Sequence, residues 1–330
     1  MRNDPTMDDD LAGLFVTLDE SASVLCTGVD AADFLHRLLT CDVRGLGVGH
    51  GSPGFLLTST GRVELALRIY RFDESCFWLV ADSDLAERIV AVLDRFLFAE
   101  KVELTALTDE VIVTVQGAHS AIDDLVGGVP EGDWDVVIGP HDRPVYRCGG
   151  HARHSGTGYD LSVPRDVLDT TLAALEAKGL RAVNPSELDA LRVEAGRPAW
   201  PFEYSPESMP LEARGLGDTT NPVVRHAASG MEGITEGKGC YPGQEVIERT
   251  LAIGSPPRVL VAVEANGPLE RGAPITAGGV EVGRLTSTAT IGVNTYGLAL
   301  IKRRMMTSAG AAELEFCVGE TVLRMRGSSR

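Results

Sequence analysis

The sequence predicts an α+β core followed by a small C-terminal β-barrel, and three observations carry that expectation. Up to residue 254, strand-like alternating runs are interleaved with amphipathic helical patterns. After Gly254 the texture changes to short alternating runs separated by glycine turns, six of them within about 70 residues. Between the two regimes lies an aperiodic stretch, residues 197–237, with prolines at 198, 201, 206, 210 and 222. So long an irregular stretch in a globular chain points to function or disorder. It ends in the octapeptide Lys238-Gly239-Cys240-Tyr241-Pro242-Gly243-Gln244-Glu245.

Taken in order, residues 1–10 read as an acidic tail, and a strand is expected around 24–26. A helix then starts at Asp30, with Phe34, Leu35, Leu38 and Leu39 on one face and Asp30 and Asp33 placed to serve its first N–H groups. Residues 49–54 match Gly-x-Gly-x-x-Gly literally. A dinucleotide fingerprint needs a strand before it and a helix after it, whereas here a helix precedes it and a strand-like run follows. It reads as a glycine-rich connection. A meander follows, with strands at 55–58, 62–71 and 76–80, then a helix bearing Leu85, Ile89, Val92, Leu93, Phe96 and Leu97 behind a Ser83 cap.

Strands are expected at 102–104, 111–116, 136–138, 145–147 and 159–163. Pro164 opens a helix that stops at Gly179. Asn184-Pro185-Ser186-Glu187 opens another: Asn184 as cap, proline at the first helical position and Glu187 able to reach back. That helix stops at Gly196 and leaves Arg192 and Glu194 on its last turn. An arginine suits the negative end of the helix dipole and an acid does not, which marks Glu194 as a candidate functional residue. The barrel strands are expected at 259–264, 273–275, 280–286, 296–301, 313–317 and 321–325.

The chain has 330 residues, 44% hydrophobic and 23% charged, which is the composition of a folded protein with a substantial core. Its formal net charge of −17 repels phosphate backbones, so neither nucleic acid nor an anionic membrane is an expected partner. The six cysteines are scattered without a Cys-x-x-Cys pair, which argues against a disulfide framework and a cysteine-built metal site. His151-x-x-His154 lies in a loop without a carboxylate at metal spacing, so no metal site is expected. No apolar leader and no run of about 18 apolar residues is present, and a reducing cytoplasm is the expected setting.

The octapeptide concentrates the chemistry. Glycines at 239 and 243 allow backbone angles closed to other residues, and Pro242 removes a donor, so the segment reads as a shaped loop. Lys238 stands two residues before Cys240, and a neighbouring ammonium favours thiolate. Cys240, assisted by Lys238, is the candidate reactive residue.

These residues resemble the signature Lys-Gly-Cys-Tyr-x-Gly-Gln-Glu of the YgfZ-type folate-binding proteins, which are implicated in iron–sulfur cluster assembly and repair. That family is paralogous to the glycine-cleavage T protein, an aminomethyltransferase. Similar blocks run along most of the chain: Gly28-Val-Asp-Ala-Ala-Asp-Phe-Leu with Leu-Thr-Cys-Asp-Val, Thr114-Val-Gln-Gly-Ala, Gly156-Thr-Gly-Tyr-Asp and Leu191-Arg-Val-Glu-Ala-Gly-Arg-Pro. The resemblance implies a T-protein-like, multi-lobed folate-binding fold: a tail over 1–10, a core of two α+β lobes over 11–254, and a barrel over 255–330. It implies tetrahydrofolate or a derivative as cofactor, with Glu194 on the pterin and Arg192, Tyr241, Gln244 and Glu245 as further cofactor-binding residues. A carboxylate can take two N–H donors from the 2-amino-pyrimidinone edge as a bidentate pair.

One departure matters. T proteins carry an acidic pair in the meander, one aspartate of which is catalytic; here Leu65 and Ala66 occupy those positions, and Glu64 falls on the opposite face of the strand from Leu65. The leading expectation is a folate-binding accessory protein serving iron–sulfur enzymes or cluster carriers. The alternatives are a folate-dependent aminomethyl- or methyltransferase using another acid such as Glu64, and a non-catalytic binding module in which Cys240 only anchors a partner or cluster transiently.

Overall fold

The computed structural model describes residues 13–82, 86–139, 147–154, 156–214, 233–253, 256–307 and 314–326. Two open sheets and a closed barrel organise these residues. The expected tail, the Ser83 cap and residues 215–232 of the proline-rich approach lie outside them.

The first sheet has six strands: β1 (Leu14–Leu18), β7 (Glu110–Gln116), β8 (Val136–Ile138), β9 (Arg147–Gly150), β10 (Gly158–Pro164) and β11 (Arg181–Ala182), in the order β11-β1-β7-β10-β9-β8. Only β1 and β11 pair in parallel. Val111, Val113 and Val115 on β7 and Leu161 and Val163 on β10 are buried in one apolar cluster. Helices α3 (His119–Val126) and α4 (Leu168–Ala177) join that cluster through Ile122, Leu125, Val126 and Leu175. An amphipathic helix on one face of a half-apolar sheet is the layer solution its residue pattern requires.

The second sheet runs β3-β4-β5-β2-β6, from β2 (Ala22–Thr27), β3 (Gly51–Leu57), β4 (Val63–Arg71), β5 (Cys76–Ala81) and β6 (Glu103–Ala106). Tyr70, Trp78 and Val80 on its strands are buried in one cluster with Ile112 and Val136 of the first sheet. Helix α1 (Ala31–Leu38) precedes β3, and α2 (Ala86–Asp94) lies between β5 and β6. The glycine-rich 49–54 segment is not only a connection: its residues 51–54 are the first four of β3, so the strand starts earlier than the expected residue 55.

Helix α5 (Pro185–Glu194) leads through a 3-10 turn at Pro210–Arg214 towards α6 (Gln244–Ile253). The barrel closes in the order β12-β15-β14-β13-β16-β17 from β12 (Arg258–Ala265), β13 (Pro274–Ala277), β14 (Val280–Ile291), β15 (Asn294–Lys302), β16 (Phe316–Val318) and β17 (Thr321–Met325), with a short α7 (Arg303–Thr307) after β15. The six expected strands are all present, so the predicted α+β core with a C-terminal barrel is the observed architecture.

By spatial proximity the chain forms two compact units. One comprises Met1–Gly54, Leu65–Leu188 and Gly237–Gly239; the other comprises Phe55–Glu64, Asp189–Glu236 and Cys240–Arg330. The unit holding the barrel therefore also takes in the β3–β4 turn and, apart from Gly237–Gly239, the chain from Asp189 onwards.

Several local expectations are corrected. Strand β1 and helix α3 were not anticipated. Asp30 sits at the N-cap of α1 without a side-chain cap bond, and its carboxylate accepts instead from the Lys101 N–H at 2.7 Å. Asn184 does cap α5, taking the Glu187 N–H at 2.9 Å, but Glu187 does not reach back; it pairs with Arg181 at 2.6 Å. Gln244 and Glu245, read as part of the shaped loop, are instead the first two residues of α6.

Candidate functional site

The loop ahead of α6 is shaped by two glycines in positions that favour glycine, Gly239 at φ +112° and Gly243 at φ +77°. At Gly243 there is also no room for a side chain. A Cβ there would lie 2.4 Å from the Thr58 carbonyl oxygen and 3.1 Å from the Cα of Gly61. Gly61, at φ +72° in the β3–β4 turn, is crowded in return: its Cβ would lie 3.0 Å from Val246. Two facing glycines thus let the β-turn and the start of α6 meet backbone to backbone.

Cys240 is exposed, whereas Cys26, Cys41 and Cys148 are buried and Cys76 and Cys317 are partly covered. Burial pushes the Cys26 and Cys41 thiols up to about 12 and the Cys148 thiol well above its ordinary value. Cys76 and Cys317 are raised too, by desolvation first and then by a nearby carboxylate, Asp73 and Glu315 respectively. Five of the six thiols are thereby held protonated, and Cys240 is the one presented to solvent.

Lys238 is half-buried and reaches back to α1, where its ammonium donates to the His36 carbonyl. Its charge opposes the burial that raises Cys41. In return His36 Nε2 lies 2.9 Å from the Lys238 carbonyl oxygen.

Glu194 ends α5, as its spacing required. Its backbone carbonyl accepts from Arg326, while its carboxylate, half-exposed, has no hydrogen-bond partner among the described residues. A carboxylate with both oxygens open suits a ligand presenting two N–H donors.

Arg192, two residues earlier, is buried and committed to the protein. Nε donates to Asp189 at 2.7 Å, Nη1 to the Arg197 carbonyl at 2.7 Å and to Glu203 at 2.9 Å, and Nη2 to Ser287 at 2.9 Å. The structure therefore gives the guanidinium the task of fixing the end of α5, which carries Glu194, rather than of pointing outward.

Tyr241 is buried, and desolvation followed by the charge of Glu248 raises its phenol to about 12. Its carbonyl takes the Gln244 N–H at 3.2 Å, which turns the chain into α6. Gln244 is half-buried, whereas Glu245 is exposed and pairs with Arg249 one turn on at 2.6 Å. On β4, Val63, Leu65 and Leu67 are buried while Glu64 and Ala66 alternate onto the other, half-buried face. Leu65 is thus sealed in the core, and Glu64 and Ala66 share a face.

Two carboxylates that sequence reasoning passed over anchor the irregular segment. Glu203 is fully buried; its Oε2 accepts from Arg192 and from the Ala199 N–H at 3.0 Å, and its Oε1 from the Thr286 and Ser287 hydroxyls at 2.6 and 2.7 Å. Glu212, also fully buried, takes Nε and Nη2 of Arg258 at 2.8 and 2.7 Å as a bidentate pair, and the Met209 N–H at 3.1 Å. Neither acid falls in a periodic pattern, so nothing in the sequence distinguishes them from solvated ones. Among the described residues no three His, Cys, Asp or Glu side chains gather as metal ligands would.

Known proteins share this architecture. Residues 15–129 match the family model of the GCVT N-terminal domain. The chain is 26% identical over 301 residues to a putative chloroplastic transferase of Arabidopsis thaliana, spanning 88% of this chain and 65% of that protein. It is 28% identical over 293 residues to an aminomethyltransferase of Streptomyces avermitilis, covering 84% and 74% of the two chains. It is 26% identical over 257 residues to the tRNA-modifying protein YgfZ of Sodalis glossinidius, covering 74% and 69%. In three dimensions the glycine cleavage system aminomethyltransferase T of Bartonella henselae superposes with a TM-score of 0.78 at 18% identity, over 96% of this chain and 85% of that one.

Proposed function

We propose that this chain, a YgfZ-type paralogue of the aminomethyltransferase T proteins, is a folate-binding accessory protein that supports iron–sulfur proteins through the thiol of Cys240. The observation that carries the reading is the exposure of Cys240 alone among six cysteines, within a loop whose two glycines and neighbouring lysine are all held in defined places.

In this reading tetrahydrofolate or a derivative is held by the Glu194 carboxylate, which has both oxygens open to donors. Arg192 holds the helix end in place, and Tyr241 and Gln244 set the exit of the loop. The folate, when bound, supplies or accepts a one-carbon unit; the chain's own contribution is to orient the pterin and to present the thiol. No described helix is long and apolar enough to cross a membrane, and a cytoplasmic setting is part of the proposal. With a net charge of −17 the chain is a poor match for a polynucleotide backbone, so its partners are protein clients, namely iron–sulfur enzymes or cluster carriers.

Complementation tests the thiol. In a strain lacking the protein, wild type is expected to restore the activity of an iron–sulfur enzyme, and Cys240→Ala to leave it near the deletion background. Equal rescue by the two removes the reactive-thiol role. Calorimetric titration with tetrahydrofolate tests the pocket: Glu194→Ala is expected to weaken binding roughly 10- to 100-fold, the worth of a charged bidentate contact. Unchanged affinity takes Glu194 out of the site.

The matches to aminomethyltransferases favour a second reading, transfer of an aminomethyl or methyl group with Glu64 acting in place of the T-protein acid. Against it stands the buried Leu65 in the acidic-pair position. Production of methylene-tetrahydrofolate from an aminomethyl donor, lost in Glu64→Gln, would establish it.

A further inference from the structure

The loop bearing Cys240 is tied to helix α1 by a contact that spans 202 residues of sequence and that the site chemistry does not itself require. Two hydrogen bonds run in opposite directions between the same pair. His36 Nε2 meets the Lys238 carbonyl oxygen at 2.9 Å, and the Lys238 ammonium donates to the His36 carbonyl. The imidazole is buried. Gly239, which follows Lys238, is exposed, and the nearest atom to a Cβ built on it is His36 Nε2 at 4.0 Å.

Chemistry fixes the proton on this ring. A carbonyl oxygen only accepts, so Nε2 carries hydrogen. The other nitrogen faces two groups, the Asp42 carboxylate at 3.1 Å and the Arg44 N–H at 3.4 Å. In the neutral ring Nδ1 accepts from Arg44; in the imidazolium it donates to Asp42. The other charges around α1 are the Lys238 ammonium on the His36 carbonyl, the Arg44 guanidinium paired with Asp33 at 2.5 Å, Arg37 paired with Glu100, and Asp30, whose carboxylate takes the Lys101 N–H. In both protonation states Nε2–H stays on Lys238. The contact is therefore a latch that does not depend on whether His36 is charged.

We propose that His36 is the positioning residue for Cys240. From α1 it fixes the main chain at Lys238, and the thiol follows after a single glycine. The flexible Gly239 alone would let that thiol wander, and the latch removes most of this freedom on its upstream side. The proposal rests on the reading that Cys240 is the working thiol, yet its test does not depend on that reading.

Hydrogen exchange of the peptide spanning residues 236–243 measures the latch directly, with a peptide from β7 as the control for global folding. His36→Ala is expected to speed exchange of the loop roughly five-fold, the equivalent of one net hydrogen bond, with β7 unchanged. His36→Gln, whose amide N–H can reach the same carbonyl, is expected to recover most of the protection, and the difference between Ala and Gln is expected to be the same at pH 6 and pH 8. Should His36→Ala also loosen β7, the decision passes to Lys238→Met, which removes only the reciprocal bond and is expected to loosen the loop alone. Exchange within two-fold of wild type in these variants overturns the proposal, as does a Gln variant that behaves like Ala. If instead Cys240→Ala complements fully while the latch variants loosen the loop, the positioning stands and the thiol function falls.

Discussion

Replacing Glu203 by alanine is expected to cost about 3–5 kcal/mol of stability, because it strands a buried guanidinium. Glu203 takes four donors: the Arg192 side chain, the Ala199 N–H and the hydroxyls of Thr286 and Ser287. Without it, Arg192 retains Asp189, the Arg197 carbonyl and the Ser287 hydroxyl but has lost its buried counter-charge. The Phe202 ring, flanked by Arg192 at 5.4 Å and Arg271 at 4.0 Å, loses part of its support as well. Urea denaturation followed by fluorescence reads the effect. Glu203→Gln is expected to fall between wild type and alanine, since an amide keeps one acceptor oxygen but turns an N–H towards a site already crowded with donors. Destabilisation below about 1 kcal/mol for Glu203→Ala would mean that solvent compensates Arg192 and that the acid is not the anchor described here.

Asp160→Asn is the second large effect, also about 3–5 kcal/mol. Asp160 is fully buried between two guanidiniums, Arg68 at 3.0 Å and Arg153 at 2.9 Å, and both arginines also contact Asp82, at 2.9 and 3.1 Å. Neutralising Asp160 leaves two cations to one carboxylate. The same cluster predicts a pH dependence. Desolvation works to raise the Asp82 carboxyl, but the charges of Arg153 and Arg68 outweigh it and hold the group well below the usual carboxylate range. Its folded pKa is depressed, so its contribution is fully present above the unfolded value of about 3.9 and is lost as pH falls towards the folded value. Urea midpoints measured from pH 7 down to pH 3 are expected to fall below about pH 4 in wild type, and to fall less steeply in Asp82→Asn. Parallel slopes in the two proteins would take Asp82 out of acid unfolding.

Much of the fold was legible because its signals are local. Alternation in residues 258–325 announces the barrel strands, and Asn184 with Pro185 announces the start of α5. Helix α3 was missed because it is short and starts from Ala118 at φ +57°, with no capping residue to mark it. In the site, the octapeptide and Glu194 stood out by composition and by a misplaced charge. What tied them down did not. His36 reads as one more residue on an amphipathic helix, and its meeting with Lys238 depends on tertiary packing across 202 positions. Glu203 and Glu212 look like ordinary surface acids until the structure removes them from water. Arg192 looked like a ligand-facing cation for the same reason: sequence gives a charge but not its partner.

The closed barrel has a consequence for how the protein behaves in concentrated solution. An open sheet edge is a template on which another chain can add a strand. Pairing of β12 with β17 at Val263–Met325 and Glu264–Arg324 joins the two ends of the barrel sheet, so that sheet offers no such template. The six-stranded sheet ends in β11 and β8, of two and three residues, too short to recruit a partner well. Among the described residues the hazard is left to the five-stranded sheet, whose outer strands β3 and β6 have seven and four residues. Self-association of a partly unfolded chain is thus directed to one pair of strands, and β3 carries Pro53 near its start, a residue that cannot donate to an incoming neighbour.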